Sequence, residues 1–356
     1  MIRKIILFFC LNLLWLAACG VNTADQPSET DERTAVPSPE EQTNAAFAPE
    51  TVVIPIPLDG HLADRNAELS GLAWYGDTLI LLPQYPNFNR HDSAVYALPK
   101  ADIEAFLLGE NEGPLTPTAV PFHAPDIENG IRGFEGYEAI AFNDDTVYLT
   151  IEASGGGMRG YLVQGAMAPD LSGLTMDTTK VIIIEAQTNL GNMADEAVLI
   201  AGDNIVTIYE ANGAEVNEAP VTHLFDANLE GAGTAAFPHI PFRITDVTGV
   251  DGDGRFWAIN YNFPETRSLQ TDNDPLAAQY GEGLTHTQNE GVERLVEFQY
   301  SEDGITLVDQ PPIQLQLLDE DLRNWEGIVR LDNQGFLLAT DKFPTTILGF
   351  VSLENE

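Results

Sequence analysis

The chain has 356 residues, 44% hydrophobic and 20% charged, a balance that suits a folded soluble domain and excludes a polytopic membrane protein or a chain disordered throughout. Lys and Arg number 16 against 55 Asp and Glu, for a formal charge of -39, so the surface repels phosphate backbones. No nucleic-acid partner is expected, and a divalent cation is the more natural one. The only cysteines, Cys10 and Cys19, lie in the first 20 residues, which leaves the folded part without a disulfide framework or a thiolate metal site.

Residues 1–18 read as a secretion signal. Arg3 and Lys4 form a basic start, an apolar stretch runs from Ile5 to Trp15, and Leu16-Ala17-Ala18 leads into Cys19. The apolar stretch is too short to span a bilayer as a helix. The small residues before Cys19 resemble the bacterial lipoprotein box, and that resemblance implies an acylated Cys19 as the first mature residue. The expected location is the cell envelope, extracytoplasmic, with a lipid anchor in the outer or plasma membrane as the only membrane contact. Residues 19–50 are rich in Ala, Thr, Glu, Pro and Ser and lack periodicity, so they are expected to form a flexible tether.

Residues 51–356 are predicted to be all-β, because many short Val/Ile/Leu/Tyr/Phe runs are bounded by Gly, Asn, Asp and Pro. One unit recurs five times: a short strand, a polar turn, and a second strand ending in a polar residue. Its copies begin at Leu69-Ser70, Tyr137-Glu138, Asp195-Glu196, Val247-Thr248 and Trp325-Glu326. Turns such as Tyr75-Gly-Asp77 and Ala201-Gly-Asp203 carry hairpin chemistry. Two more strand candidates follow each copy except the last, which has only 346–353. Four strands per unit make a propeller blade. The unclaimed run 51–58 is expected to supply the missing outer strand and close a five-bladed ring. A six-bladed ring, with a degenerate blade between Phe263 and Arg323, is the alternative.

Innermost strands line a propeller's channel, so Ser70, Glu138, Glu196, Thr248 and Glu326 are predicted to share one level around the axis. Converging carboxylates repel unless a cation sits among them or some are protonated. Oxygen-only ligands in a flexible set favour Ca2+, the expected cofactor. The second strands return to the same mouth. Their ends place Gln84, Glu210, Asn260 and Asn262 as candidate ligand-binding residues, with Glu152 and Asp341 as candidate catalytic carboxylates. Arg90, Arg132, Arg159 and Arg267 fall in loops, where surface ion pairs are the expected role.

The order Ser, Glu, Glu, Thr, Glu at five strand heads resembles the calcium site of the five-bladed calcium-dependent nucleotidases, the soluble apyrase family. Glu68-Leu-Ser70 and Glu326-Gly-Ile328 fit that pattern too. The family's Asp-Asp-Arg run is replaced here by Leu82-Pro-Gln-Tyr-Pro86, which removes the acids expected to activate water. Glu135-Gly-Tyr-Glu-Ala-Ile-Ala141 and Trp325-Glu-Gly-Ile328 are similar to secreted phytase-like propeller domains. These resemblances imply a calcium-binding propeller, either a binding or scaffold module or a Ca2+-dependent hydrolase of phosphoesters, phosphoanhydrides or related small anions. Replacing Cys19 with Ala is expected to shift the protein from the membrane fraction to the soluble envelope fraction, as read by fractionation and immunoblotting.

Overall fold

Strands and short helices make up the residues that the computed structural model describes, 47–89, 92–318 and 322–353. The predicted signal peptide, Cys19 and most of the tether lie outside these residues, as does Arg90. The N-terminal segment contributes β1 (Glu50–Thr51) and β2 (Ile54–Ile56). Blade I is β3 (Leu69–Tyr75), β4 (Thr78–Pro83), β5 (Ala94–Pro99) and β6 (Thr118–His123). Blade II is β7 (Phe134–Asn143), β8 (Thr146–Ala153), β9 (Arg159–Met167) and β10 (Leu174–Glu185). Blade III is β11 (Asp195–Ala201), β12 (Asn204–Tyr209), β13 (Val221–Phe225) and β14 (Gly231–Ala236). Blade IV is β15 (Arg243–Val247), β16 (Arg255–Asn262) and β17 (Val292–Ser301), whose outer edge is shared by β18 (Gly304–Leu307) and β19 (Ile313–Leu315). Blade V is β20 (Trp325–Leu331), β21 (Gly335–Thr340) and β22 (Leu348–Ser352), completed by β2.

The fold is a five-bladed β-propeller. Its innermost strands pack in the cyclic order β3, β7, β11, β15, β20 and back to β3. Among the described residues, the stretch between Phe263 and Arg323 forms no sixth blade, because it supplies β17–β19 and one long insertion. Ring closure is as the sequence predicts: Ile54 pairs with Phe350 and Ile56 with Leu348, antiparallel. Pro55 is tolerated in β2 because an outermost strand has a free edge, where a missing N–H costs no ladder bond. Packing begins before Thr51, since Ala48 bridges to Gly283 and Glu50 pairs with Gln314.

The tight hairpins follow from their glycines. Gly76 (φ 57°) and Gly202 (φ 60°) take the left-handed backbone that two-residue turns demand. Small residues near the axis let the inner strands converge. A Cβ on Gly71 would press to 3.3 Å from the Ala139 backbone, and one on Gly327 would meet Leu72. Below the polar mouth the channel ends in a cavity of about 420 Å3 with mixed polar and apolar walls, lined from every blade by residues such as Ala73, Phe142, Leu199, Val250 and Val329 and also by Arg330.

Ile56 is 2% exposed and joins the core cluster that contains Leu348 and Phe350. Urea unfolding should therefore show that Ile56→Ala costs about 2–5 kcal/mol. Val52→Ala, at an exposed neighbour, should stay within about 0.5 kcal/mol.

Candidate functional site

Each inner strand is bulged where its ring residue sits. The antiparallel register slips between Leu69 and Gly71, between Tyr137 and Ile140, between Asp195 and Ala197, and between Trp325 and Gly327. These bulges straddle Ser70, Glu138, Glu196 and Glu326 and turn their side chains into the mouth. In blade IV the slip falls between Ile244 and Val247, so the equivalent residue is Thr245. The hydrogen bonds agree. Ser70 Oγ donates to the Tyr137 carbonyl at 2.6 Å and Thr245 Oγ1 to the Trp325 carbonyl at 2.7 Å, each reaching the residue just before the next blade's glutamate.

Thr248 is therefore not a member of the ring. Its backbone N–H donates to the Trp257 carbonyl, its hydroxyl accepts from Trp257 N, and it lies beyond β15, away from the mouth. Asp246 follows Thr245 and is 2% exposed. Its Oδ2 accepts from Ile328 N at 2.9 Å, tying blade IV to blade V beneath the ring. Burial raises its pKa well above the usual carboxylate range, although backbone amides oppose the shift.

Ser70, Gln84, Glu138, Glu152, Glu196, Glu326 and Asp341 converge on one cavity of about 310 Å3. Glu210 is fully buried against Arg243, outside the cavity's lining. Gln84 Nε2 donates to Glu138 Oε1 at 3.2 Å, and Asn324 Nδ2 bridges Glu326 Oε1 (2.7 Å) and Asp341 Oδ2 (3.3 Å). Gly136 makes room for this arrangement, since a Cβ there would collide with the Gln84 side chain. Two candidates are placed elsewhere. Asn260 is a structural staple, donating to the Pro241 and Arg243 carbonyls and accepting from Arg294 Nε, while Asn262 lines a neighbouring groove.

The residue that organises the mouth is Arg243, at the head of β15. Its Nη2 lies 3.4 Å from Glu196 and 3.7 Å from Glu326, and its Nε contacts Glu210. Burial works against its charge, but Glu196 and Glu326 more than offset this and hold the guanidinium protonated. Phe242, just before it, has φ 71°, a left-handed backbone that costs a bulky residue about 1–3 kcal/mol. Asn260 grips the carbonyls on either side of that strained residue.

One guanidinium does not neutralise so many acids, and their proton affinities rise. Burial, opposed by Arg243, pushes Glu152 up to about 7 and Glu196 up to about 8. Burial and then the neighbouring charges of Glu152, Glu196 and Glu326 push Glu138 well above the carboxylate range. Burial does the same for Glu326, with Arg243 opposing, and it also raises Asp341. Glu152 Oε1 and Asp341 Oδ1 are buried with no hydrogen-bond partner. These are oxygens suited to a hard cation or a donor ligand. Among the described residues, no group of three or more His, Cys, Asp or Glu side chains is placed to hold a metal ion.

The arrangement sets a pH dependence. The folded state holds protons on Glu152 and Glu196 that the unfolded chain releases near 4.5. Their contribution to stability is complete below 4.5 and is lost as pH rises through 7 to 8. Arg243→Met leaves its acids unpaired and should cost about 3–5 kcal/mol in denaturant titrations at alkaline pH. The deficit should shrink under mildly acidic conditions, where the carboxyls take up protons.

No protein-family model and no curated protein sequence matches the chain. Solved structures do resemble it in overall fold. The catalytic domain of a Coprinopsis cinerea GH62 alpha-L-arabinofuranosidase matches with a TM-score of 0.48 at 8% identity, over 86% of this chain and 97% of its own. A thermostable family-43 glycoside hydrolase matches with a TM-score of 0.44 at 12% identity, over 84% of this chain and 91% of its own. A luciferin-regenerating enzyme matches with a TM-score of 0.44 at 10% identity, over 86% and 96%. The similarity is one of chain course, and the five-blade count rests on this chain's own strand pairing.

Proposed function

We propose that this propeller is a cation-binding module of the bacterial cell envelope, anchored through a lipidated Cys19, whose channel mouth takes up Ca2+. The observation that carries the reading is the pair of orphaned buried oxygens, Glu152 Oε1 and Asp341 Oδ1, in a cavity where Arg243 alone faces many carboxylates. Glu138, Glu152, Glu196, Glu326 and Asp341 would hold the ion, with Ser70 and Thr245 fixing the inner strands rather than serving as ligands. All the donors are hard oxygens, which suit Ca2+ over softer metals. The bound ion would supply the positive charge that Arg243 leaves lacking.

A second reading, a hydrolase, is favoured by the proton held near neutrality on Glu152 beside other carboxylates. Phosphoester and phosphoanhydride substrates fit poorly, because Arg243 is already engaged by Glu196, Glu210 and Glu326. The resemblance to nucleotidases and phytase-like domains therefore supports the architecture more than the chemistry. Hydrolysis of nucleoside diphosphates, phytate and simple esters, with and without Ca2+, separates this reading from the binding module.

Ca2+ should raise the melting temperature and EGTA should reverse the rise. A hundredfold excess over Kd stabilises by about 2.7 kcal/mol. Binding should also release protons at neutral pH, because the ion displaces them from Glu152 and Glu196. Calorimetry in buffers of different ionisation enthalpy measures that release. Glu138→Gln with Glu152→Gln should weaken both effects, and an unchanged melting temperature with no proton release removes the reading.

A further inference from the structure

Beside the acidic mouth lies a larger groove of about 900 Å3. It is built by residues 263–291, the insertion between β16 and β17. An insertion of this length in a compact domain is usually functional or unstructured, and this one is held in place. Arg294 makes a two-point contact with Asp274 (2.7 and 3.2 Å) while donating to Asn260. Asp274 also caps the helix Pro275–Tyr280 by accepting from Leu276 N and Ala277 N. On the far side Glu50 Oε1 accepts from Thr285 N and Thr285 Oγ1 and meets His286 Nδ1 at 3.0 Å.

The groove's lining is chemically selective. It carries the amides of Asn262, Gln270, Asn273 and Asn289, acids at its rim, and Phe242 in its wall, with no Lys or Arg. Asn262 is 1% exposed, and its Oδ1 is buried without a hydrogen-bond partner although its Nδ2 donates to the Glu290 carbonyl at 3.5 Å. A buried acceptor left alone is costly unless a ligand supplies the donor. Amides offer a donor and an acceptor side by side, as neighbouring hydroxyls of a polyol do, and carboxylates accept from hydroxyls. With no Lys or Arg among its described lining residues, and with its one histidine, His286, already engaged by Glu50, the groove disfavours phosphate, sulfate and uronate groups. Its polar lining likewise disfavours an apolar guest.

We propose that this groove binds a neutral, hydroxyl-rich chain, an oligosaccharide, with Asn262 Oδ1 accepting from a sugar hydroxyl and the amides and carboxylates of the lining meeting its other hydroxyls. Phe242 and Arg243 are consecutive, so the groove and the mouth share one wall, but the groove needs no ion. Binding is independent of the cation reading and should persist in EDTA.

Affinity electrophoresis of the full chain in native gels tests this, with β-glucan, arabinoxylan, galactomannan or pullulan as neutral probes and polygalacturonate and polylysine as charged controls. At least one neutral polymer should retard the protein in EDTA. Asn262→Ala should weaken that retardation about tenfold or more. The double variant Gln270→Ala with Asn273→Ala acts at the groove's surface, so it should weaken retardation while leaving the melting temperature unchanged. Retardation by no neutral polymer, by polylysine alone, or only when Ca2+ is present overturns the proposal, as does undiminished retardation in both variants.

Discussion

A single guanidinium set among buried carboxylates is the constraint on which the rest of this propeller's mouth depends. Arg243 reaches Glu196, Glu210 and Glu326, which come from two other blades, so one side chain holds blades III, IV and V in a fixed relation. Removing carboxylates from water is expensive, and Arg243 repays only part of that cost for the group as a whole. The remainder appears as raised proton affinities on Glu138, Glu152, Glu196 and Glu326. A site left undercharged in this way is poised to take up protons or a cation. This links the electrostatics of the ring to its proposed function.

Holding Arg243 there has a structural cost that the fold absorbs nearby. The left-handed backbone at Phe242 directs the chain into β15, and Asn260 clamps the carbonyls on both sides of it. Arg294 holds Asn260 and, through Asp274, fixes the base of the long insertion. One chain of hydrogen bonds thus runs from the mouth to the walls of the groove. Asp246, three residues beyond Arg243, staples the level below by accepting from Ile328 N. Blade IV departs most from the repeat and supplies the mouth's one arginine.

That departure explains where the sequence was legible and where it was misleading. In the regular blades, Ser70 to Gln84, Glu138 to Glu152 and Glu196 to Glu210 span the same interval, and all of these residues line one mouth except Glu210, which meets it through Arg243. The same interval counted back from Asn262 lands on Thr248, which is why Thr248 read as a ring member. Blade IV has a longer turn at Asp251-Gly-Asp-Gly254, so the true head lies earlier, at Thr245, within the bulge between Ile244 and Val247. The signal that could have found it is the run Arg243-Ile-Thr-Asp-Val247, in which an apolar residue precedes the hydroxyl as Leu69 precedes Ser70.

By itself the sequence determined the all-β class, the five repeats, the closing strand and most of the converging polar residues, because hairpin turns and alternating burial are local properties that repeat with the blade. It also determined a strongly acidic protein. Only the tertiary structure decided that an arginine stands inside the ring, that Asn260 is a staple rather than a ligand, and that Asn262 faces a second cavity. Those outcomes depend on charges and bulges from separate blades meeting at the axis. The energy of a buried charge is set by neighbours distant in sequence, which no local pattern encodes.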